Sequence, residues 1–149
     1  MSASSGIDQL IGEWQTSGEV EIEGQTIQIS GHTTVERLGE FVVLRAQVEP
    51  PEFPDNLSII GGGPEGEPAP MYYFDERGVH RLYLSTVAEG RWVITRADET
   101  WRESPGFNQR YVGEISPDGS RITGAWERGL GEAGDRWQVD FRVEYERVC

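Results

Sequence analysis

The sequence predicts an all-β fold, an antiparallel up-and-down barrel of about nine to ten strands behind a short N-terminal helix. Three observations carry this. From Trp14 onward, apolar and polar residues alternate with period two over stretch after stretch, the pattern of half-buried strands. Turn-forming Gly, Pro, Asp and Asn fall between those stretches at short, regular spacing. No segment beyond residue 11 has helical periodicity, so nothing could carry a parallel crossover, and closing the meander on itself would remove its exposed edges.

Ser4 to Ile11 has the spacing of one short helix. Ile7, Leu10 and Ile11 form its apolar face at i, i+3 and i+4, and Ser4 or Ser5 could cap it. Between Trp14 and Ile22, Trp14, Thr16, Gly18, Val20 and Ile22 share one face, and Glu13, Gln15, Glu19 and Glu21 share the other. Glu23-Gly24-Gln25 reads as a turn, and Gln25 to Val35 returns with Ile27, Ile29, Thr33 and Val35 on one side. Phe41 to Val48 is a strongly apolar strand. "MYYF", "VHRLYLSTV", "RWVITRA", "NQRYVGEIS" and "SRITGAWER" follow, the last two joined by Pro117-Asp118-Gly119. "RWQVDFRVEYERV" closes the chain as one long alternating strand.

Pro50 to Pro70 breaks this rhythm. It holds six of the eight prolines and a triple glycine, which reads as a long loop, either a lid over the barrel or a mobile insertion. "GGGPEG" lacks the lysine and the strand-to-helix setting of a phosphate loop.

A length of 149 residues predicts a single domain over residues 1–149, able to bury a core without staples. The single cysteine, Cys149, excludes a disulfide framework within the chain and makes cysteine-based metal binding implausible. The net charge of -13 argues against nucleic acid and against anionic membranes as partners. All 13 basic residues are arginine, so Schiff-base chemistry, a Walker lysine and a lysine general base are excluded. "MSASSGIDQL" has neither a basic region nor a long apolar run, which predicts a cytoplasmic protein with no signal peptide and no membrane helix.

Asp75-Glu76-Arg77-Gly78 sets the register of one hairpin, with Phe74 opposite His80, Tyr73 opposite Arg81 and Tyr72 opposite Leu82. Tyr72, Phe74, His80, Leu82 and Leu84 make its more apolar face and are expected inside. Met71, Tyr73, Arg81 and Tyr83 are expected outside. The same rule points Trp92, Ile94 and Arg96 inward, with Tyr111, Gly113, Ile115, Ile122, Gly124 and Trp126. On the last strand it points Trp137, Val139, Phe141, Val143, Tyr145 and Arg147 inward. Inward glycines at 18, 113 and 124 would enlarge a cavity, and the aromatic residues would either line it or fill it.

Gly12-Glu13-Trp14 opens the first strand and Tyr145-Glu146-Arg147 ends the last, so in a closed meander Trp14 and Arg147 are neighbours and can stack at the barrel floor. With that pairing, the chain resembles the lipocalin and fatty-acid-binding-protein superfamily, the calycins. "MYYFDERGVHRLY", "GFNQRYVGEISPDGSRITGAWE" and "WQVDFRVEYERV" are similar to an uncharacterised bacterial family of lipocalin-like proteins. That resemblance implies a barrel fold and carries over no settled activity. The Arg-x-Tyr step that fatty-acid-binding proteins use on the last strand is Arg142-Val-Glu-Tyr145 here, which splits the two side chains between faces.

These readings lead to one expectation and two alternatives. The first is a binding module for a small, largely hydrophobic molecule, with Tyr72, His80, Trp92, Arg96, Tyr111 and Trp126 as ligand contacts and no cofactor. An alternative is a cofactor-free isomerase, cyclase or hydrolase with His80 as catalytic acid/base. The other is a nitrobindin-like haem barrel with His80 as axial ligand, although the late histidine of that family is absent. His80 could equally be a core histidine. His32 is expected on the polar face. The ladder Glu19, Glu21, Glu23 is expected to be a solvated face rather than a Ca²⁺ site, and no metal site is expected. A homodimer stays open.

Overall fold

A computed structural model describes residues 6–61 and 67–148. Ten antiparallel strands form one closed barrel, each hydrogen-bonded to its neighbours in sequence and the last to the first. They are β1 (Gly12–Ile22), β2 (Gln25–Leu38), β3 (Phe41–Glu49), β4 (Asn56–Ile60) and β5 (Ala69–Asp75), then β6 (His80–Ala88), β7 (Arg91–Arg96), β8 (Asn108–Ile115), β9 (Arg121–Leu130) and β10 (Arg136–Arg147). This all-β architecture is consistent with a lipocalin-like fold. No helix among the described residues is long and apolar enough to cross a membrane.

The strands alternate as their residues dictate. In β1, Trp14, Thr16, Gly18 and Val20 are withdrawn from solvent while Glu13, Gln15, Glu19 and Glu21 are exposed. The β1–β2 turn is tight, with Glu23 and Gly24 both at positive φ, and this matches the twist of the flanking strands. Trp14 pairs with Arg147 across the seam where β1 meets β10.

Three expectations are corrected. The N-terminal helix is a single 3₁₀ turn over Gly6–Leu10, and the proposed caps Ser4 and Ser5 lie outside the described residues. The segment from Pro50 to Pro70 is not one loop. Asn56–Ile60 forms β4 in its middle, pairing with β3 and β5, and so supplies the tenth strand. Part of the proposed lid, residues 62–66, lies outside the described residues.

The third correction concerns β10. Val139 pairs with Glu127 but Phe141 pairs with Trp126, so Asp140 is an extra residue in a β-bulge. The bulge reverses the alternation. Phe141, Val143, Tyr145 and Arg147 keep the inward parity, while Trp137 and Val139 turn outward. Arg110 on the outer face of β8 stacks over Trp137, 4.0 Å from the ring centroid, and pairs with Glu127 at 2.5 Å.

Candidate functional site

The two ends of the barrel differ. The floor is sealed by the 3₁₀ turn, where Leu10 at its end and Trp14 at the start of β1 are almost wholly buried. The Trp14 indole N–H donates to the Leu10 carbonyl at 2.8 Å. The Arg147 guanidinium lies 4.2 Å from the Trp14 ring centroid. Its Nη1 donates to the Ile11 carbonyl at 2.6 Å, its Nη2 to Gln9 at 2.8 Å and its Nε to Gly119 at 3.1 Å. These carbonyls end the 3₁₀ turn and the β8–β9 turn, so one cation ties both chain ends to a third segment.

Above the floor runs a column of rings. Trp14 meets Tyr145 edge-on at 6.4 Å, Tyr145 lies 5.8 Å from Trp92, and Trp92 lies 5.5 Å from Tyr111. Tyr111 lies 5.7 Å from Trp126, which stacks on Phe141 and tilts against Tyr83. Two polar tips inside this column are satisfied locally. Trp92 donates to Ser85 Oγ at 3.0 Å, and the Tyr111 hydroxyl donates to the Val143 carbonyl at 3.2 Å. Burial pushes the Tyr111 hydroxyl far up, aided by Tyr145 and Glu144, and pushes the Tyr145 hydroxyl up to about 12. Both are neutral at physiological pH.

The expected widening by glycine is corrected at two positions. A Cβ on Gly113 would lie 2.7 Å from the Tyr111 ring, and one on Gly124 would lie 2.9 Å from it. These glycines let that ring lie flat against β8 and β9, which fills space instead of opening it. At Gly18 a Cβ would strike the Arg142 carbonyl at 2.4 Å, so the glycine permits close approach of β1 and β10.

Burial divides the interior. In the floor half Val35, Val42, Leu44, Ile60, Val87, Trp92, Ile94 and Ile122 are fully buried. In the opposite half, inward-facing residues of β1, β2, β3 and β10 keep accessible surface. Val20, Ile29, Val48, Phe141 and Val143 are only partly buried, and Ile22 is 43% exposed. Apolar side chains aimed into a closed barrel retain such surface only where nothing packs on them. The floor half is therefore packed, and at the mouth the inward-facing apolar residues of β1, β2, β3 and β10 stay partly open to solvent.

The wall of that mouth formed by β5–β9 is polar. Gln109 Oε1 receives Arg81 Nη1 at 3.3 Å, Arg96 Nη1 at 3.4 Å and the Tyr83 hydroxyl at 3.2 Å. Arg96 also donates from Nη2 to Thr100 Oγ1 at 2.8 Å and from Nη1 to the Ser104 carbonyl at 3.3 Å. The Nε–H groups of both Arg81 and Arg96 are buried without a partner. Burial lowers the pKa of Arg96, and the neighbouring Arg81 charge adds to this. Beside them Tyr73 donates to Asp75 at 2.8 Å, and Arg77 pairs with the same carboxylate at 2.6 Å. Burial would raise the Asp75 pKa, but the hydrogen bonds from Arg77 and Tyr73 outweigh it and hold it at about 2.

Of the residues expected to contact a ligand, Trp92, Arg96, Tyr111 and Trp126 face inward. Trp92, Tyr111 and Trp126 belong to the packed column, whereas Arg96 lies on the polar wall of the mouth. Tyr72 and His80 do not face inward, and their expected orientation is corrected. The expected hairpin register is observed, with Phe74 opposite His80, Tyr73 opposite Arg81 and Tyr72 opposite Leu82. The faces are reversed. Tyr72, Phe74, His80 and Leu82 are exposed on the outer wall, while Met71 and Tyr83 are buried inside. The inner face of this hairpin carries Tyr73, Asp75 and Arg81 because it borders the polar mouth, so its lower hydrophobicity is a consequence of its position. From the outer wall, the His80 imidazole does not reach the interior as an acid/base or an axial ligand. His32 also takes the outward parity of β2.

Sequence reasoning missed Arg81, Tyr83 and Gln109 as inner groups. The available signal was the clustering of Tyr73, Arg81 and Tyr83 on one face of a registered hairpin. Glu19, Glu21 and Glu23 are exposed, and no group of three or more His, Cys, Asp or Glu among the described residues is placed to hold a metal ion. An open depression beside the β8–β9 turn is lined by Ser116, Asp118, Ser120, Arg121 and Glu146. Its polar groups are already engaged, the serines with Asp118 and Arg121 with Glu146. No family model matches the chain, and no curated protein matches it.

Proposed function

We propose that the protein binds a small, largely hydrophobic molecule in the mouth half of the barrel, as a member of an uncharacterised group of bacterial lipocalin-like proteins acting in the cytoplasm. One observation supports this above others: above a sealed, ring-packed floor, the inward-facing Val20, Ile29, Val48 and Phe141 keep accessible apolar surface. Such a lining gives a hydrophobic ligand area to bury at about 25 cal/mol per Å², and Trp126 borders it as a reporter. No resident cofactor is needed for this role.

The test is titration with a fluorescent apolar probe, read by tryptophan quenching, together with native mass spectrometry of the freshly purified protein. A saturable quench is expected in the wild type. Ile29→Trp, which fills the mouth half, should abolish it while the protein stays folded by circular dichroism. A quench that survives Ile29→Trp places the probe elsewhere and refutes the reading. Absence of both a quench and a mass adduct refutes it as well.

A further inference from the structure

We infer that Arg81 and Arg96, organised by Gln109 and Tyr83, form an oxyanion site at the barrel mouth, and that the bound molecule is an amphipathic acid whose carboxylate sits on them. This rests on the reading of the interior as a binding space and names the class of ligand.

The arginines of this chain make the first argument. Seven of them, Arg37, Arg77, Arg91, Arg102, Arg110, Arg121 and Arg128, are ion-paired to a carboxylate. In a chain with 26 acidic residues, a carboxylate partner is easily supplied. Among the described residues the exposed Arg45, Arg136 and Arg142 form no ion pair and Arg147 is held by carbonyls, while Arg81 and Arg96 are the inward-facing arginines of the mouth without one. Two guanidinium groups instead converge on one neutral amide oxygen. Both side chains are half-buried, so part of the desolvation of each charge is left uncompensated.

The hydrogen-bond count makes the second argument. Three donors, from Arg81, Arg96 and Tyr83, share Gln109 Oε1, which has only two lone pairs. Both Nε–H groups are also unpartnered, but the chain encloses them. The three donors therefore lack a second acceptor oxygen, and a carboxylate at the mouth would bring two to the Nη–H groups and the Tyr83 hydroxyl.

The third argument is rigidity and neighbourhood. Thr100 and the Ser104 carbonyl hold Arg96 from the β7–β8 segment, so the group is anchored before any ligand arrives. Tyr83 lies 5.6 Å from Trp126, which stacks on Phe141 at the edge of the apolar lining. A carboxylate on the arginines thus places an attached chain against Trp126, Phe141 and Val143. The arginines come from β6 and β7, and Arg142 of β10, on the exposed outer face, takes no part.

The test compares decanoate with 1-decanol at pH 7 by tryptophan quenching, in the wild type and in Arg81→Gln, Arg96→Gln and the outer-face control Arg91→Gln. The wild type and the control should bind decanoate at least about tenfold more tightly than decanol. Arg81→Gln and Arg96→Gln should each remove most of that preference and leave decanol binding unchanged. Their melting temperatures should stay level or rise, because each substitution removes a charge that has no carboxylate partner. Equal binding of the two chains by the wild type, or a preference that survives both substitutions, overturns the oxyanion site while leaving the interior as a binding space. If neither compound binds, the interior reading itself fails.

Discussion

Replacing Arg147 with methionine removes the one cation that ties the barrel floor together. The side chain donates to the Ile11 and Gln9 carbonyls at 2.6 and 2.8 Å, to Gly119 at 3.1 Å, and stacks 4.2 Å from Trp14. A hydrogen bond involving a charged group is worth roughly 1.5 kcal/mol at the low end, so the two short ones sum to about 3 kcal/mol. The stacking adds about 1 kcal/mol. The Gly119 carbonyl sits in an exposed turn, where water can replace the donor, and adds little. The expected loss is about 4 kcal/mol, a large share of the roughly 5–15 kcal/mol that holds a typical domain together. For a chain of this size that lowers the melting temperature by about 8–16 °C. Urea unfolding followed by circular dichroism measures it, and hydrogen exchange should show the amides of the Gly6–Leu10 turn losing protection first. Arg147→Lys should recover only a fraction, since one ammonium cannot reach three carbonyls and also present a flat face to Trp14. A loss below about 1 kcal/mol, with the turn still protected, would show that Trp14 and Leu10 seal the floor by packing alone.

Three further outcomes follow from the same structure. Gly124→Ala places a Cβ 2.3 Å from the Val112 carbonyl and 2.9 Å from the Tyr111 ring, so it should destabilise by about 1–3 kcal/mol in urea unfolding; a neutral result would mean that β8 and β9 can part without penalty. Asp75, held at about 2 against an ordinary 3.8, contributes stability that is complete above pH 3.8 and is lost as pH falls through 2. Asp75→Asn should therefore lower the urea midpoint at pH 5, and the gap to wild type should shrink toward pH 2; a constant gap would show that the loss does not come from its ionisation. His80→Ala, on the exposed outer wall, should change stability by less than about 0.5 kcal/mol and leave probe binding intact, and a lost quench would return His80 to the site.

Much of the architecture is legible from residue order alone. Trp14 and Arg147 stand opposite each other because the first and last strands of a closed meander are neighbours, and the 75–80 hairpin keeps its register because Gly78 at positive φ suits only one turn there. What was not legible has physical causes. "NLSII" is too short and too closely flanked by proline to stand out as a strand, and it forms because β3 and β5 leave a gap that five residues can bridge. The bulge at Asp140 leaves no mark in β10 itself, since one extra residue is defined only against the partner strand. The fate of Gly113 and Gly124 depends on where Tyr111 lays its ring, a tertiary fact.

The reversed face of the 71–84 hairpin has the most bearing on function. Choosing the inside by hydrophobicity assumes that the interior is uniformly apolar, which holds only where a barrel is packed. At the floor, Trp14, Val42, Ile60 and Ile122 obey that assumption. On the β5–β8 wall of the mouth, the inward positions are Tyr73, Asp75, Arg81, Arg96 and Gln109, while Tyr72, Phe74 and Leu82 stand in solvent. Inner polar residues cost stability unless something satisfies them. Asp75 is satisfied within the chain by Tyr73 and Arg77, whereas Arg81 and Arg96 have hydrogen bonds from their Nη groups, an unpartnered Nε–H each, and no carboxylate. Where alternation and burial disagree in a barrel strand, as they do from Met71 to Leu84, the disagreement marks a stretch of interior that is not uniformly apolar.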